Sequence, residues 1–294
     1  MAGPISMHFT SAPAIVPAYL RILLARKPQV VIDTVPRIEA VLERFSVDAA
    51  HLARYRRICG NRETDTLPIA YPHILATPVH LAMIASDAFP VNLLGVVHVR
   101  NRIVQQRPLG VRESGQIRAR LEGHRETSRG QELDLLTEVS IGSETVWSET
   151  ATLLTRKRSR IRNARSEGNA MPEVSVPPGA AVASRDFIVE RGVGRQYARV
   201  SGDFNPIHIA DLPARFFGFK RAIAHGMWSL ARCAAEIGGP AFARPCTLDV
   251  AFKRPIAFCS RVVLESWMAD GHIGFRLRDF EAGRGHLLGC IAPT

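Results

Sequence analysis

The sequence predicts an α+β protein made of two copies of one unit, a long buried helix followed by antiparallel strands. Three observations carry this expectation. Each half has one apolar, small-residue run: His73-Ile-Leu-Ala-Thr-Pro-Val-His-Leu-Ala-Met-Ile-Ala85 in the first, His225-Gly-Met-Trp-Ser-Leu-Ala-Arg-Cys-Ala-Ala235 in the second. Both are long enough for a helix and too uniformly apolar to lie on a surface. Each run is followed at a similar distance by a strand-like stretch that ends in basic residues, Val96–Ile103 and Asp249–Ile256 (96 − 73 = 23 and 249 − 225 = 24). Each half then closes in further strand-like runs: 133–139 and 145–154 in the first, 261–268, 273–280 and 286–291 in the second. The repeated order points to duplication of one unit. Two such units can pair edge to edge into one long sheet, which removes two exposed edges.

A chain of 294 residues has room for two such domains. At 46% hydrophobic and 22% charged it reads as globular rather than disordered. No stretch reaches the roughly 20 continuous apolar residues of a membrane-spanning helix. The early apolar segment Ala12–Ala25 contains Pro13, Pro17 and Arg21 and has no Lys or Arg ahead of it, so no signal peptide is expected. The five cysteines, Cys59, Cys233, Cys246, Cys259 and Cys290, are odd in number, scattered and without a Cys-x-x-Cys pair. They suit reduced, buried thiols in a cytoplasmic protein without structural zinc. The segment 156–184 starts basic, with Arg156, Lys157, Arg158, Arg160, Arg162 and Arg165, and turns Pro-rich. It is expected to be an exposed linker between a first unit, 1–155, and a second, 185–294.

The stretch that carries chemistry follows this linker. Arg185–Glu190 alternates as a short strand, Gly192–Val200 suits a helix, and Gly202 breaks it. Asn205-Pro206 then disfavours helix at Asn205, so Asp203–His208 reads as a loop. That loop presents a carboxylate and an imidazole five residues apart, with Phe204 and Ile207 between them expected to face inward. An imidazole titrates near neutrality, and a neighbouring carboxylate can orient it or take a proton, so the two can act together on one water. The same spacing also suits an Asx turn with a capping His. A metal site would need a third convergent ligand, and the sequence makes none evident.

Tyr197-x-x-x-Ser-Gly-Asp-x-Asn-Pro-x-His208, followed by Ala214 and by Gly218-Phe-Lys-Arg-Ala-Ile-Ala-His-Gly-Met227, resembles the signature of the MaoC-like dehydratases, the (R)-specific enoyl thioester hydratases. Leu67-Pro-Ile-Ala-Tyr-Pro-His-Ile-Leu-Ala76 and Leu93-Leu-Gly-Val-Val-His-Val-Arg-Asn-Arg102 resemble the first half of two-unit members. The resemblance implies a double hot-dog fold and a lyase of fatty acid metabolism: reversible hydration of trans-2-enoyl thioesters of coenzyme A or acyl carrier protein, without metal or redox cofactor. It implies Asp203 and His208 as the catalytic pair, Asn205 as their hydrogen-bonding orienter, and Gly226 as the donor to the thioester oxygen. Gly226 suits that role because it opens a helix and has no side chain to obstruct the substrate. Ser201 is expected to support the loop and His225 to be structural or to touch substrate.

The first half lacks this motif; the matching region reads Cys59-Gly-Asn-Arg-Glu-Thr-Asp-Thr-Leu-Pro68. One active site per chain follows, with the first half expected to shelter the acyl chain. Pro72 and Pro78 would kink or interrupt its helix and open a groove. Tyr71 and His73 are candidate pocket residues, with core packing as the other reading. The balance of 38 basic to 27 acidic residues, +11, suits a phosphate-bearing pantetheine arm or an acidic carrier protein. Lys220, Arg221, Lys253 and Arg254 are candidates for the mouth of the site. No array of basic and stacking aromatic residues points to nucleic acid, and no membrane insertion is expected. The resemblance also allows a homodimer. The competing readings are a hot-dog acyl-CoA thioesterase and a non-catalytic acyl-binding subunit.

Overall fold

The computed structural model describes residues 5–25, 35–92, 96–155 and 174–294. In chain order its elements are β1 (Ile5–Phe9), α1 (Ile15–Leu24), β2 (Ile38–Leu42), α2 (Ala49–Cys59), α3 (Tyr71–Ala85), β3 (Val96–Gln105), β4 (Gln116–Thr127), β5 (Gly130–Ile141) and β6 (Glu144–Thr155). They continue with β7 (Val182–Ile188), α4 (Val193–Ser201), α5 (Asp211–Phe216), α6 (Gly226–Ile237), β8 (Cys246–Phe252), β9 (Arg261–Ala269), β10 (His272–Asp279) and β11 (Gly285–Pro293). The chain forms two compact units. One holds 1–47, 75–101 and 112–170; the other holds 48–74, 102–111 and 171–294.

In the first unit the strands run β1-β2-β4-β5-β6-β3, with β1 parallel to β2 and the β2, β4, β5 and β6 pairings antiparallel. Two-residue connections join β4 to β5 and β5 to β6, and Gly142 takes the left-handed conformation that the second turn requires. Leu133, Leu135, Thr137 and Val139 alternate along β5 as buried residues. Thr137 Oγ1 meets Nε2 of His80 from α3 at 2.8 Å, a buried polar tie between helix and sheet. α3 runs through Pro78 without ending, and Pro72 sits in its first turn, where a missing N–H costs little. The expectation that a proline would interrupt this helix is therefore corrected.

In the second unit the order is β8-β11-β10-β9-β7. Asp270-Gly271, both at positive φ, close the β9–β10 hairpin, the backbone a tight right-twisting turn needs. Leu248, Val250, Leu264, Phe275 and Leu277 on the strands and Leu230 on α6 are at most 4% exposed and belong to its core. This unit also takes in α2 and Tyr71 from the first half of the sequence. The Trp228 indole on α6 donates to the Ile58 carbonyl on α2 at 3.1 Å. The unit boundaries thus differ from a division at 155 and 185, because side-chain packing across α2, α4 and α6 decides compactness. β7 begins at Val182, inside the stretch expected as linker; the basic run Arg156–Arg165 lies outside the described residues. Four cysteines are buried and Cys259 is exposed, against the expectation of burial for all five.

Candidate active site

The loop expected to carry chemistry is built by short-range hydrogen bonds. α4 ends at Gly202, whose φ of 74° lets its N–H return to Ala198 O. The chain then makes three side-chain-to-backbone turns in succession. Ser201 Oγ accepts from the Asp203 N–H at 3.2 Å, Asp203 Oδ1 from the Asn205 N–H at 3.0 Å, and Asn205 Oδ1 from the Ile207 N–H at 3.4 Å. Short polar side chains favour this i to i+2 geometry, which competes with helix and holds an open loop. A single 3-10 turn, Pro206–His208, follows. Phe204 is 43% exposed, so it points outward rather than inward as expected.

His208 is buried, and its Nδ1 lies 2.8 Å from the Ile223 carbonyl. A carbonyl only accepts, so Nδ1 carries the proton and Nε2 keeps a bare lone pair. Burial lowers the His208 pKa; Asp203 and the Ile223 carbonyl oppose that without reversing it. The imidazole is thus neutral at pH 7 and able to accept a proton. The Asp203 carboxylate is half-exposed, and one nitrogen or oxygen atom from each of Asp203, His208 and His225 lies within 4.8 Å of the others. A water hydrogen-bonded to two groups at ordinary lengths spans about 4.5 Å. An upper limit of 4.8 Å leaves the carboxylate and the imidazole close enough to share one water.

His225, expected from the sequence to be structural or to touch substrate, is in contact with both members of the pair. Its ring stacks on His208 with centroids 3.8 Å apart and planes at 29°. Its Nε2 donates to the Asp203 backbone carbonyl at 3.0 Å. Burial, together with repulsion from His208, pushes its pKa down to about 3, so it stays uncharged. Its Nδ1 is buried with no hydrogen-bond partner, a cost of about 1–3 kcal/mol that a functional site tolerates. Tyr197 packs behind it at 5.0 Å, Tyr55 lies 6.4 Å from Tyr197, and Tyr71 lies 5.0 Å from Tyr55.

Tyr71 is fully buried in this aromatic column, its hydroxyl 2.9 Å from His51 Nδ1. It is therefore core, not pocket lining. His73 is half-buried on α3. His225 precedes Gly226, the first residue of α6, and no side chain caps that helix start. A Cβ on Gly226 would press on the Phe252 ring at 3.3 Å. Lys220, Arg221, Lys253 and Arg254 are all exposed. α2, which the sequence reading passed over, carried its own signals: Asp48 caps its start by accepting from the His51 N–H, and Gly60 ends it at φ 76°.

His225, a minor candidate in the sequence, is the third titratable group here, and with Asp203 and His208 it makes a possible ligand set. The geometry suits a metal poorly. An imidazole binds through an in-plane lone pair, and rings stacked at 3.8 Å with planes 29° apart aim theirs side by side, not at a common point. His225 Nε2 and His208 Nδ1 already serve as donors.

Helix-on-sheet units with an acid–imidazole loop at the entry to a central helix define a hot-dog lyase. A MaoC-like domain model matches residues 177–288. The 3-hydroxyacyl-thioester dehydratase X of Mycobacterium tuberculosis is 31% identical over 259 residues, 88% of this chain and 90% of that protein. The crystal structure of HtdX from the same organism has a TM-score of 0.74 at 29% identity, covering 87% of this chain and 100% of that one. A further M. tuberculosis protein, described as having a double hotdog fold, shares the fold at 13% identity and a TM-score of 0.53, covering 85% of this chain and 94% of that one. The chain belongs to the MaoC-like dehydratase family.

Proposed function

We propose that this chain adds water reversibly to trans-2-enoyl thioesters, giving (R)-3-hydroxyacyl thioesters, with Asp203 and His208 as the catalytic pair. The observation that carries the reading is a neutral imidazole with a fixed tautomer, clustered with a carboxylate within 4.8 Å. His208 Nε2 and Asp203 hold the water as it attacks C3 of the substrate, and the pair receives its proton and returns one to C2. Asn205 orients Asp203 through its backbone N–H and locks the turn with its own carbonyl. The Gly226 N–H, at the positive end of α6, stabilises charge on the thioester oxygen. Exposed Lys220, Arg221, Lys253 and Arg254 suit the phosphates of the pantetheine carrier. The first half contributes no second acid–imidazole motif, and we assign it the acyl chain, in a cytoplasmic enzyme of acyl metabolism. The relative's name supports the thioester substrate.

The test is spectrophotometric. Purified protein with crotonyl-CoA and longer enoyl-CoA should remove the absorbance of the conjugated thioester. Asp203→Asn and His208→Ala should each lower turnover by about 10³-fold with both variants still folding cooperatively. Full activity in both variants, or release of free thiol without hydration, overturns the assignment.

A further inference from the structure

We propose that His225 is the positioning residue of this site: one buried side chain that holds both members of the Asp203–His208 couple and the helix start that faces them. The proposal rests on the hydratase reading and goes beyond it, since it concerns what keeps the couple in place. His225 touches the two partners in different ways. Its ring closes one face of His208 at 3.8 Å, while the Ile223 carbonyl pins the His208 edge at 2.8 Å. The His208 ring therefore cannot turn about its own bond without losing a hydrogen bond or a stack. The Nε2–H of His225 holds the Asp203 peptide at 3.0 Å, while the same nitrogen is 3.8 Å from the Asp203 carboxylate, beyond hydrogen-bonding reach. The hold of His225 is thus on the Asp203 backbone and not on its carboxylate. His225 is also the residue from which α6 begins, so the hold on Asp203 sets the loop against the Gly226 N–H.

Two further facts make the arrangement rigid. Tyr197, Tyr55 and Tyr71 stand behind His225 and are at most 2% exposed, so the ring has no room to retreat. Tyr55 and Tyr71 come from the first half of the sequence, and that half therefore contributes to catalysis by backing the imidazole. Burial also keeps His225 uncharged, so it does not compete for the proton that the couple handles.

Three substitutions separate the two contacts. His225→Phe keeps a stacking ring and removes the donor. His225→Gln places an amide N–H near the original Nε2 and removes the ring. His225→Ala removes both. A positioning role predicts that the Ala variant loses kcat by about 100-fold with KM nearly unchanged, and that Phe and Gln each recover part of that loss. It also predicts that the acid limb of kcat/KM moves up towards the ordinary imidazole range in Gln and Ala, as water reaches His208. An unaltered kcat in the Ala variant, a loss confined to KM, or equal losses in all three with an unmoved acid limb overturns the proposal. Nitrogen-15 spectra of the wild-type protein give a test independent of turnover and of variant folding. His225 should appear as the Nε2–H tautomer and stay neutral from pH 8 to 5. Titration near pH 6.5, or the Nδ1–H tautomer, overturns the proposal even where hydration is confirmed. Absent turnover with the expected tautomer overturns the activity instead.

Discussion

Gly194 is the sharpest place to test the packing that holds this loop. It lies in the first turn of α4 with ordinary helical backbone, so an alanine there is conformationally acceptable. Helix propensity alone predicts that Gly194→Ala stabilises by about 0.8–1 kcal/mol. Space predicts the opposite. A Cβ at this position would lie 2.1 Å from the His208 carbonyl oxygen and 2.5 Å from Phe258 Cζ. Against the 3.0 Å below which real Cβ contacts essentially do not occur, the shortfall at the carbonyl is 3.0 − 2.1 = 0.9 Å. The obstructing atom is backbone, so it cannot swing aside as a side chain would. Overpacking of this kind costs about 1–3 kcal/mol, which outweighs the propensity gain. Net destabilisation should be about 0–2 kcal/mol, a melting shift of a few degrees. The larger effect is on function. Moving the His208 backbone by nearly 1 Å misplaces the imidazole against Asp203, and a displacement of that size costs about 10²-fold in rate. Steady-state hydration of crotonyl-CoA and a thermal melt, run on the same preparation, give both numbers. A variant with wild-type turnover and a raised melting temperature would show that α4 does not abut the His208 peptide, and the account of how the loop is held would fail.

Two other outcomes follow from buried charge. His225 is held near pKa 3 when folded, against about 6.5 when unfolded, and His208 is lowered too. Below pH 6.5 the unfolded chain binds protons that the folded chain refuses, so stability is whole above that pH and falls as pH drops towards 3. By pH 5 the loss from His225 alone should be about 2 kcal/mol, read as a lower urea midpoint than at pH 7.5; an unchanged midpoint would contradict the burial of these rings. In the first unit Glu132 is fully buried beside Arg100, Arg125 and Arg129. Glu132→Ala removes this shared carboxylate while Arg125 keeps Asp134 and Arg129 stays largely exposed, so it should cost about 1–3 kcal/mol in urea unfolding, while an unchanged urea midpoint would show that the cluster is solvated.

The fold and the loop were legible in the sequence for different physical reasons. α3 and α6 are apolar on nearly every side, β5 alternates over most of its length, and β6, β9, β10 and β11 are apolar runs bounded by polar or turn residues, so pattern located them to within a few residues. β8 runs Cys246–Phe252, earlier than the expected 249–256, because Pro255 cannot extend a paired strand. β4 escaped notice because Arg118 and Arg120 alternate with Ile117, Ala119 and Leu121. The pattern is that of a strand, but its polar face is so heavily charged that the apolar face is easily passed over. Burial settles the matter, with Ile117 and Ala119 wholly enclosed.

The loop could be read because its hydrogen bonds are local. Ser201, Asp203 and Asn205 each hold a backbone N–H two residues on, so a twelve-residue motif contains its own geometry. What supports the loop is not local. His225 arrives from 22 residues beyond Asp203 (225 − 203), and Tyr55 from 142 residues before Tyr197 (197 − 55). A sequence pattern records what must be close along the chain, whereas an imidazole is held in place by whatever packs against its face. That is why the sequence left His225 between a structural role and contact with substrate. The unit that carries the motif takes the rear wall of His225 from the half that lacks it, so on the proposed reading selection on α2 and the start of α3 acts through the rate of a reaction that none of their side chains performs.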